Sequence, residues 1–259
     1  MIVNDLWQQF GQLKYDDIPE STRKVAKQCL LDWMACVIAG SGEPLAEILR
    51  AEFSSQEGPC SVIGKDIKTS PQAAAMINGA TGHALDFDDT HSVMGGHPTV
   101  PIAPAIWAVA EETGASGQAL LTALLAGLES ECRLGTLIGT QHYAKGWHVT
   151  STIGIFGAVV GVAHLLGLTE NQFGNAFGLA ASQASGLKSN FGTMTKPFHA
   201  GHAAERGLLS ARLAQRGFTA NPDSFDGNQG LVSAAGNGSM RDEQYADLAD
   251  QWLIERTLF

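Results

Sequence analysis

Apolar residues recur along most of this chain at helical spacing, with polar residues between them. This periodicity predicts helices over residues 3–13, 19–38, 45–53, 100–112, 117–137, 150–166, 170–184, 197–216 and 242–253. Residues 60–64 form the one short segment that reads as extended. The pattern predicts an all-α domain of about eight to ten helices that covers residues 1–259.

Residues that start and stop helices lie at the ends of these segments. Ser70 and Pro71 are typical of a first helical turn, since serine caps free N–H groups and proline lacks one. Gly114, Gly167 and Gly217 are placed to end helices, because glycine adopts the left-handed conformation at low cost. These signals predict separate helices joined by short turns.

Composition narrows the classes of function. The chain has 259 residues, 44% of them hydrophobic, which is enough to bury a large core. A net charge of −10 argues against nucleic acid or an anionic membrane as the main partner, since both favour a basic face. The N-terminus lacks a signal-peptide pattern, and the most apolar stretch, 153–168, is interrupted by four glycines and His164. We therefore expect a cytoplasmic protein outside the membrane.

The four cysteines are widely spaced and lie mostly within apolar helical segments. This placement favours reduced thiols in a core over a disulfide framework. They are Cys29, Cys36, Cys60 and Cys132.

Three predicted helices begin with a glycine-containing loop that delivers a histidine or lysine to the first turn. The loops read GGHPTVP, KGWHVTS and GTMTKPF, and they carry His97, His148 and Lys196. A helix N-terminus offers unpaired N–H groups and a partial positive charge, so it favours anions. If these three ends converge, they form a site for carboxylates. An alternative interpretation makes them ordinary cap and surface residues.

The third of these helices carries further imidazoles. Lys196, His199 and His202 recur at intervals of three and therefore share one helical face. We assign His199 to substrate binding together with Lys196.

The stretch HALDFDDTHSVMGGHP, residues 83–98, concentrates three carboxylates and three imidazoles. Imidazole moves protons near neutral pH, and a buried aspartate can orient it. A solvated acidic turn would have the same composition, but Leu85 and Phe87 between the acids favour partial burial. The stretch therefore indicates that Asp86 and His97 take part in acid–base chemistry.

A metal site is the competing interpretation of this stretch. Asp88 and Asp89 followed by His91 offer ligands, and all-helical isoprenoid synthases bind magnesium through an Asp-Asp-x-x-Asp motif. This chain reads DDTHS instead, without the third acid. A magnesium-dependent synthase thus stays as a second alternative, and the leading interpretation has no metal.

Three motifs together resemble the MmgE/PrpD family in order and spacing. They are HALDFDDTH with GGHPTVP, then KGWHVTSTIGIFGA, then the run from GLAASQ to RGFTA at residues 178–220. The family includes 2-methylcitrate dehydratases, cis-aconitate decarboxylases and an iminodisuccinate epimerase. Its members combine an all-helical domain with a smaller α+β domain and bind substrate between the two. The resemblance implies that this chain is the helical domain, whose last 20 or so residues approach the boundary with an α+β domain that the chain lacks.

The resemblance also implies roles for individual residues. Asp86, His97 and His148 match catalytic positions, while Thr90 and Lys196 match substrate-binding positions. It implies a lyase, either a dehydratase or a decarboxylase, for small polycarboxylic acids such as 2-methylcitrate or cis-aconitate, with no metal or organic cofactor. Which histidine is the base stays open at this point. A non-catalytic helical interaction module is the alternative from another class.

A homodimer is expected as well, since family members dimerise through the helical domain. The residue pattern gives a second motive, because one helix carries many small residues that favour close helix packing. These residues are Gly154, Gly157, Ala158, Gly161 and Ala163.

Overall fold

The computed structural model describes residues 1–236 and 251–259 and confirms the all-α prediction. Helices make up 66% of the structure and strands 4%. The α-helices are α1 Ile2–Leu6, α2 Glu20–Gly40, α3 Pro44–Glu52, α4 Pro71–Gly82, α5 Thr99–Thr113, α6 Gly117–Ile138, α7 Thr140–Ala144, α8 Val149–Thr152, α9 Gly154–Leu166, α10 Glu170–Ala181, α11 Thr195–Gln215 and α12 Leu231–Ala235. Two-residue strands are β1 Cys60–Ser61, β2 Lys68–Thr69, β3 Thr90–His91 and β4 Thr257–Leu258.

Helix ends follow the local signals. The Ser70 hydroxyl accepts a hydrogen bond from the Ala73 N–H at 3.2 Å, so Ser70 caps α4 as predicted. Gly114 and Gly167 end α5 and α9 with φ of 70° and 61°, the left-handed conformation that glycine adopts without strain. Local chemistry therefore sets these boundaries.

Two predicted helices differ from the observed ones. The first begins as α1 and continues as a π-helical turn over Trp7–Gly11. The segment 150–166 is divided at Ile153 into the short α8 and the longer α9. The helix predicted over 242–253 lies mostly outside the described residues, and its last residue begins a 3-10 turn, Leu253–Arg256.

Strand pairing is more extensive than the single extended segment that the sequence predicts. β1 and β2 form an antiparallel pair in which Cys60 lies opposite Thr69. β3 and β4 form a second antiparallel pair, with Thr90 opposite Leu258. The second pair joins positions far apart in the chain, which local patterns do not reveal.

The core is built where α4, α5, α9 and α11 pack against one another, with α6 against α9. Small residues permit close approach at these crossings. A Cβ atom added at Gly201 of α11 would lie 2.3 Å from the backbone oxygen of Met76 in α4. All four cysteines are buried and free, as expected for reduced thiols in a core.

The small residues of α9 pack inside the fold. Gly157 and Gly161 lie against Ile102 of α5, and Ala158 lies against Gly207 of α11. These positions are buried, so they do not form the exposed dimer face that their composition suggested. Among the described residues, one stretch is long and apolar enough to cross a membrane, Val149–Leu166, and 83% of it is buried in the fold.

Residues 251–259 are anchored to the helical body through α6. The Glu129 carboxylate accepts hydrogen bonds from the N–H groups of Leu253 at 3.0 Å and Ile254 at 2.8 Å. The Leu253 carbonyl accepts a hydrogen bond from His91 Nε2 at 2.7 Å. The segment thus supports the loop that follows α4.

Candidate active site

A cavity of about 340 Å³ collects four of the six predicted site residues. Asp86 and His97 come from the loop between α4 and α5, His148 precedes α8, and Lys196 lies in the first turn of α11. The other lining residues are Gly95, Gly96, Tyr143, Thr150, Phe191 and Gly192. Among them, Tyr143 and Phe191 were not singled out by sequence, although Phe191 lies in a quoted motif.

Asp86 and Lys196 form an ion pair on the cavity wall. Asp86 has φ of 59°, a left-handed conformation that aspartate tolerates better than most residues but that still carries strain. Burial by itself raises the pKa of Asp86, but the hydrogen bond and charge of Lys196 outweigh it and the net shift is downward. Asp86 is therefore held as a carboxylate in front of the ammonium group.

His97 lies between two carboxylates. Its Nδ1 donates to the backbone oxygen of Asp88 at 3.1 Å and lies 3.3 Å from Oδ2 of the same residue, while Nε2 lies 3.5 Å from Asp86 Oδ1. Burial lowers the pKa of His97, but the hydrogen bond and charge of Asp88 outweigh burial and raise it above its ordinary value. His97 thus keeps its proton to higher pH than an ordinary histidine.

His83 and Asp88 form a buried pair behind His97 that the sequence analysis did not nominate. His83 Nδ1 lies 2.9 Å from both carboxylate oxygens of Asp88. Burial raises the pKa of Asp88, but the charge and hydrogen bond of His83, followed by those of His97, hold it below its usual range. Asp88 therefore interacts with the imidazoles of both His83 and His97. The motif contained both residues, but composition alone did not show which acids face inward.

The pKa of His148 is shifted in the opposite direction from that of His97. Burial lowers its pKa to about 2, helped by the nearby charges of His83 and His199. Its ring stacks near His83 at a centroid distance of 5.8 Å and meets the edge of Phe191 at 4.9 Å. The cavity therefore contains a neutral imidazole and a second imidazole that favours its charged form.

His199 lies behind His148 rather than among the residues that line the cavity. It is 7% exposed, and its Nδ1 lies 3.1 Å from Nδ1 of His148. The helical spacing correctly placed His199 on the same side of α11 as Lys196. Its position, however, suits a contact with His148 better than the substrate contact assigned from sequence.

Thr90 does not line the cavity, although the family resemblance implies that it binds substrate. It lies in β3, where successive side chains point to opposite faces. His91 is buried against the Leu253 carbonyl, so Thr90 is directed to solvent. The pairing of β3 with β4 sets this orientation.

At two of the helix N-termini expected to bind anions, N–H groups are already hydrogen-bonded to groups of the protein. The N–H and hydroxyl of Thr99, the first residue of α5, donate to the Asp89 carboxylate at 3.2 and 2.6 Å. At α11, the N–H of Thr195 donates to the Thr193 hydroxyl at 3.2 Å, and Pro197 has no N–H. At these two helix ends, positive side chains rather than free N–H groups therefore supply the attraction for anions.

Four residues of the site also resemble a metal-binding cluster. One ligand atom from each lies within 4.8 Å of the others; the residues are His83, Asp86, Asp88 and His97. Asp86 already pairs with Lys196 and Asp88 with His83, so a divalent ion would have to displace an ammonium group and a buried hydrogen bond. The structure also disfavours the magnesium site considered from the sequence, because the Asp89 carboxylate accepts a hydrogen bond from the Thr99 hydroxyl.

Comparison with known proteins gives a consistent result. The profile of the MmgE/PrpD N-terminal domain matches residues 5–244. The cis-aconitate decarboxylase-like protein oryM of Aspergillus oryzae is 34% identical over 256 residues, which cover 94% of this chain and 53% of that protein.

Two further relatives are named as cis-aconitate decarboxylases. The Aspergillus terreus protein is 32% identical over 267 residues, covering 97% of this chain and 54% of its own length. The Homo sapiens protein is 30% identical over 242 residues, covering 88% of this chain and 49% of its own length. The chain spans about half the length of the curated relatives it matches.

Proposed function

Since this chain belongs to the MmgE/PrpD family, we propose that it carries the proton-transfer centre of a lyase that acts on small polycarboxylic acids. The observation that carries the proposal is the pair of imidazoles in one cavity, His97 with a raised pKa and His148 with a lowered one. Two titratable groups whose environments push their pKa values apart are typical of an acid and a base.

In this proposal His97 is the general acid and His148 the general base. Asp88 favours the protonated form of His97, as an acid requires. The Nε2 atom of His148 has no hydrogen bond among the described residues, so it is available to take up a proton. In a dehydration, His148 takes the proton beside a carboxylate while His97 protonates the departing hydroxyl, which leaves as water. In a decarboxylation, the electron pair of the broken carbon–carbon bond stays on the substrate, CO₂ leaves, and His97 protonates a substrate carbon.

Decarboxylation of an unsaturated acid such as cis-aconitate is the reaction we favour, because the relatives reported above carry that activity in their names. Dehydration of a hydroxy acid such as 2-methylcitrate is the second candidate. Lys196 would hold one substrate carboxylate in place of Asp86. The negative charges of Asp86 and Asp88 offset the positive charges of Lys196 and His97. The further carboxylates of the substrate therefore need cations from outside this cavity.

The test is to incubate the purified chain with cis-aconitate and, separately, with 2-methylcitrate and to follow both by proton NMR. Loss of CO₂ from the first acid or of water from the second, absent in a His97→Gln/His148→Gln variant, supports the proposal and tells the two reactions apart. Calorimetric titration with each acid adds a measurement that needs no turnover. A chain with neither turnover nor saturable binding at millimolar acid overturns the proposal and leaves the non-catalytic helical module.

We also propose that the protein works as a homodimer in the cytoplasm. Leu31 and Ile38 support a dimer, since they are 71% and 54% exposed and lie seven positions apart on one face of α2. Light scattering at micromolar concentration tests the dimer, and a monomeric mass contradicts it. Fractionation of the producing cells tests the location.

A further inference from the structure

The contact between His148 and His199 joins two ring nitrogens. Their Nδ1 atoms are 3.1 Å apart, the ring centroids are 5.3 Å apart, and both side chains are buried. A hydrogen bond between two imidazole nitrogens requires a hydrogen on one and a lone pair on the other. The two rings therefore cannot choose their tautomers independently.

Both rings are neutral around neutral pH. Burial lowers the pKa of His148 to about 2 and that of His199 to about 4. A neutral imidazole carries one hydrogen, on Nδ1 or on Nε2. If His148 donates through Nδ1, its Nε2 has a free lone pair; if His199 donates, His148 Nε2 carries the hydrogen.

The surroundings of His148 decide between these two arrangements. The charges of His83, Lys196 and His97 all act to lower the pKa of His148. Nδ1 of His148 faces His199, and the ring lines the cavity that Lys196 also lines; an N–H on Nε2 directed toward the ammonium group would be repelled, whereas a lone pair would be attracted. The arrangement with the lone pair on Nε2 is therefore favoured.

We propose that His199 is a positioning residue that accepts a hydrogen bond from Nδ1–H of His148 and so leaves the Nε2 lone pair of His148 facing the cavity. The role of that lone pair as a base rests on the proposed function, but the tautomer does not. After His148 takes up a proton, its Nδ1–H still donates to His199, so the charged ring keeps its partner.

The backbone fixes both rings in this arrangement. The Ser151 hydroxyl donates to the His199 carbonyl at 3.1 Å, and the His148 N–H donates to the Gly186 carbonyl at 3.0 Å. Gly186 has φ of 121°, and a Cβ atom there would lie 3.4 Å from Cγ of His199. The loop at Gly186 therefore holds the backbone of His148 and packs against the ring of His199.

The direct test is nitrogen-15 NMR of histidine-labelled protein, which distinguishes protonated from unprotonated ring nitrogens. In the unaltered chain we expect His148 to carry its hydrogen on Nδ1. His199→Phe keeps a ring but removes the acceptor and leaves a buried Nδ1–H without a partner, so we expect part of the population to move its hydrogen to Nε2, against the opposing charge of Lys196. His199→Asn offers an amide oxygen as acceptor and should preserve the original tautomer. His202→Phe is the matched control, one turn further along α11, and should leave the hydrogen of His148 on Nδ1.

Two results overturn the proposal: a hydrogen on Nε2 of His148 in the unaltered chain, or an unchanged tautomer in His199→Phe. Thermal unfolding of each variant establishes that it is folded. If His199→Phe does not fold, the proposal is still tested by the tautomer of His148 in the unaltered chain and in His199→Asn.

Kinetics give a second measurement if the chain turns over substrate. In a dehydration, where His148 acts as the base, general base catalysis contributes about 10²–10⁴-fold, so we expect His199→Phe to lower kcat by about 100-fold with KM changed less than about threefold. A residue that binds substrate would raise KM instead. An inactive chain with the expected tautomers defeats the proposed function and leaves the positioning role intact, whereas full dehydratase activity in a folded His199→Phe defeats the positioning role.

Discussion

Asp86 and Lys196 form an ion pair although 110 positions separate them in the chain. Asp86 lies in the loop after α4 and Lys196 in the first turn of α11, the two helices whose close packing fixes the distance between them. The pair places a cation at the cavity wall and keeps a carboxylate in front of it. Under the proposed function, a substrate carboxylate would have to displace Asp86 from Lys196.

Replacing Lys196 by methionine should weaken binding of polycarboxylates at least tenfold. A hydrogen bond to a charged group contributes about 1.5–3 kcal/mol, and about 1.4 kcal/mol is a tenfold change in affinity. Stability should change little, because Asp86 is 57% exposed and water can solvate it. Isothermal titration calorimetry measures the affinity, with Lys65→Met in an exposed turn as control. Equal affinities in both variants would contradict the role of Lys196.

Replacing Asp88 by asparagine should lower the pKa of His97. The hydrogen bond and charge of Asp88 raise that pKa, so without the charge His97 loses its proton at lower pH. In an active preparation, the fall in activity at alkaline pH should move to lower pH as well. An NMR titration of His97 measures the shift directly, and the exposed Asp66→Asn is the control. An unchanged or raised pKa would disprove the contribution of Asp88.

Much of the fold follows from local sequence, whereas the site follows only in part. Ser70, Gly114 and Gly167 act on their own helix ends, so their effects were predictable. Thr90 was misplaced because its orientation depends on pairing with Leu258, far along the chain. Phe87 was expected to be partly buried and is 75% exposed, since the left-handed turn at Asp86 breaks the alternation around it. The pairing of His83 with Asp88 needed coordinates, because several acids and imidazoles of that loop could pair.

Two glutamates of α6 should respond differently to replacement by glutamine. Glu131 is fully buried, and its two carboxylate oxygens have no hydrogen-bond partner among the described residues. Burial, with the charge of Asp89, raises its pKa well above the usual value. The folded chain then retains a proton that the unfolded chain releases, so stability is lost as pH rises above the unfolded value of about 4.5.

We therefore expect Glu131→Gln to gain stability relative to the unaltered chain as pH rises from 5 to 8, by up to about 1.4 kcal/mol per pH unit. Glu129→Gln should instead lose about 3–5 kcal/mol, because Glu129 pairs with Arg133 and accepts from two backbone N–H groups. Urea unfolding at several pH values measures both variants. A pH-independent difference between Glu131→Gln and the unaltered chain would refute the expectation.

The crossing of α4 and α11 should not tolerate a larger residue. A Cβ atom at Gly201 would lie 2.3 Å from the Met76 oxygen and 2.9 Å from the Ala80 nitrogen, both backbone atoms. Gly201→Ala should therefore cost at least about 1–3 kcal/mol and shift Lys196 away from Asp86. Gly117→Ala in α6 meets no atom within 4 Å and should be neutral or slightly stabilising. Thermal unfolding compares the two, and equal stabilities would rule out the tight crossing.

Removal of metal ions should have no effect on this site. Lys196 and His83 already pair with the carboxylates that would be ligands. We expect dialysis against EDTA to leave the unfolding temperature and polycarboxylate binding unchanged, and added zinc to bind weakly. A drop in either property on dialysis, restored by one divalent metal, would establish a metal site at the cluster.

The anchoring of residues 251–259 has a consequence for biosynthesis. His91, in strand β3 shortly after Asp86 and Asp88, donates to the carbonyl of Leu253, 162 positions later. A ribosome adds about 5–20 residues per second, so this strand leaves the ribosome on the order of ten seconds or more before its support exists. During that interval β3 has no β4 to pair with. The site is thus completed late, after translation has reached the segment that holds it.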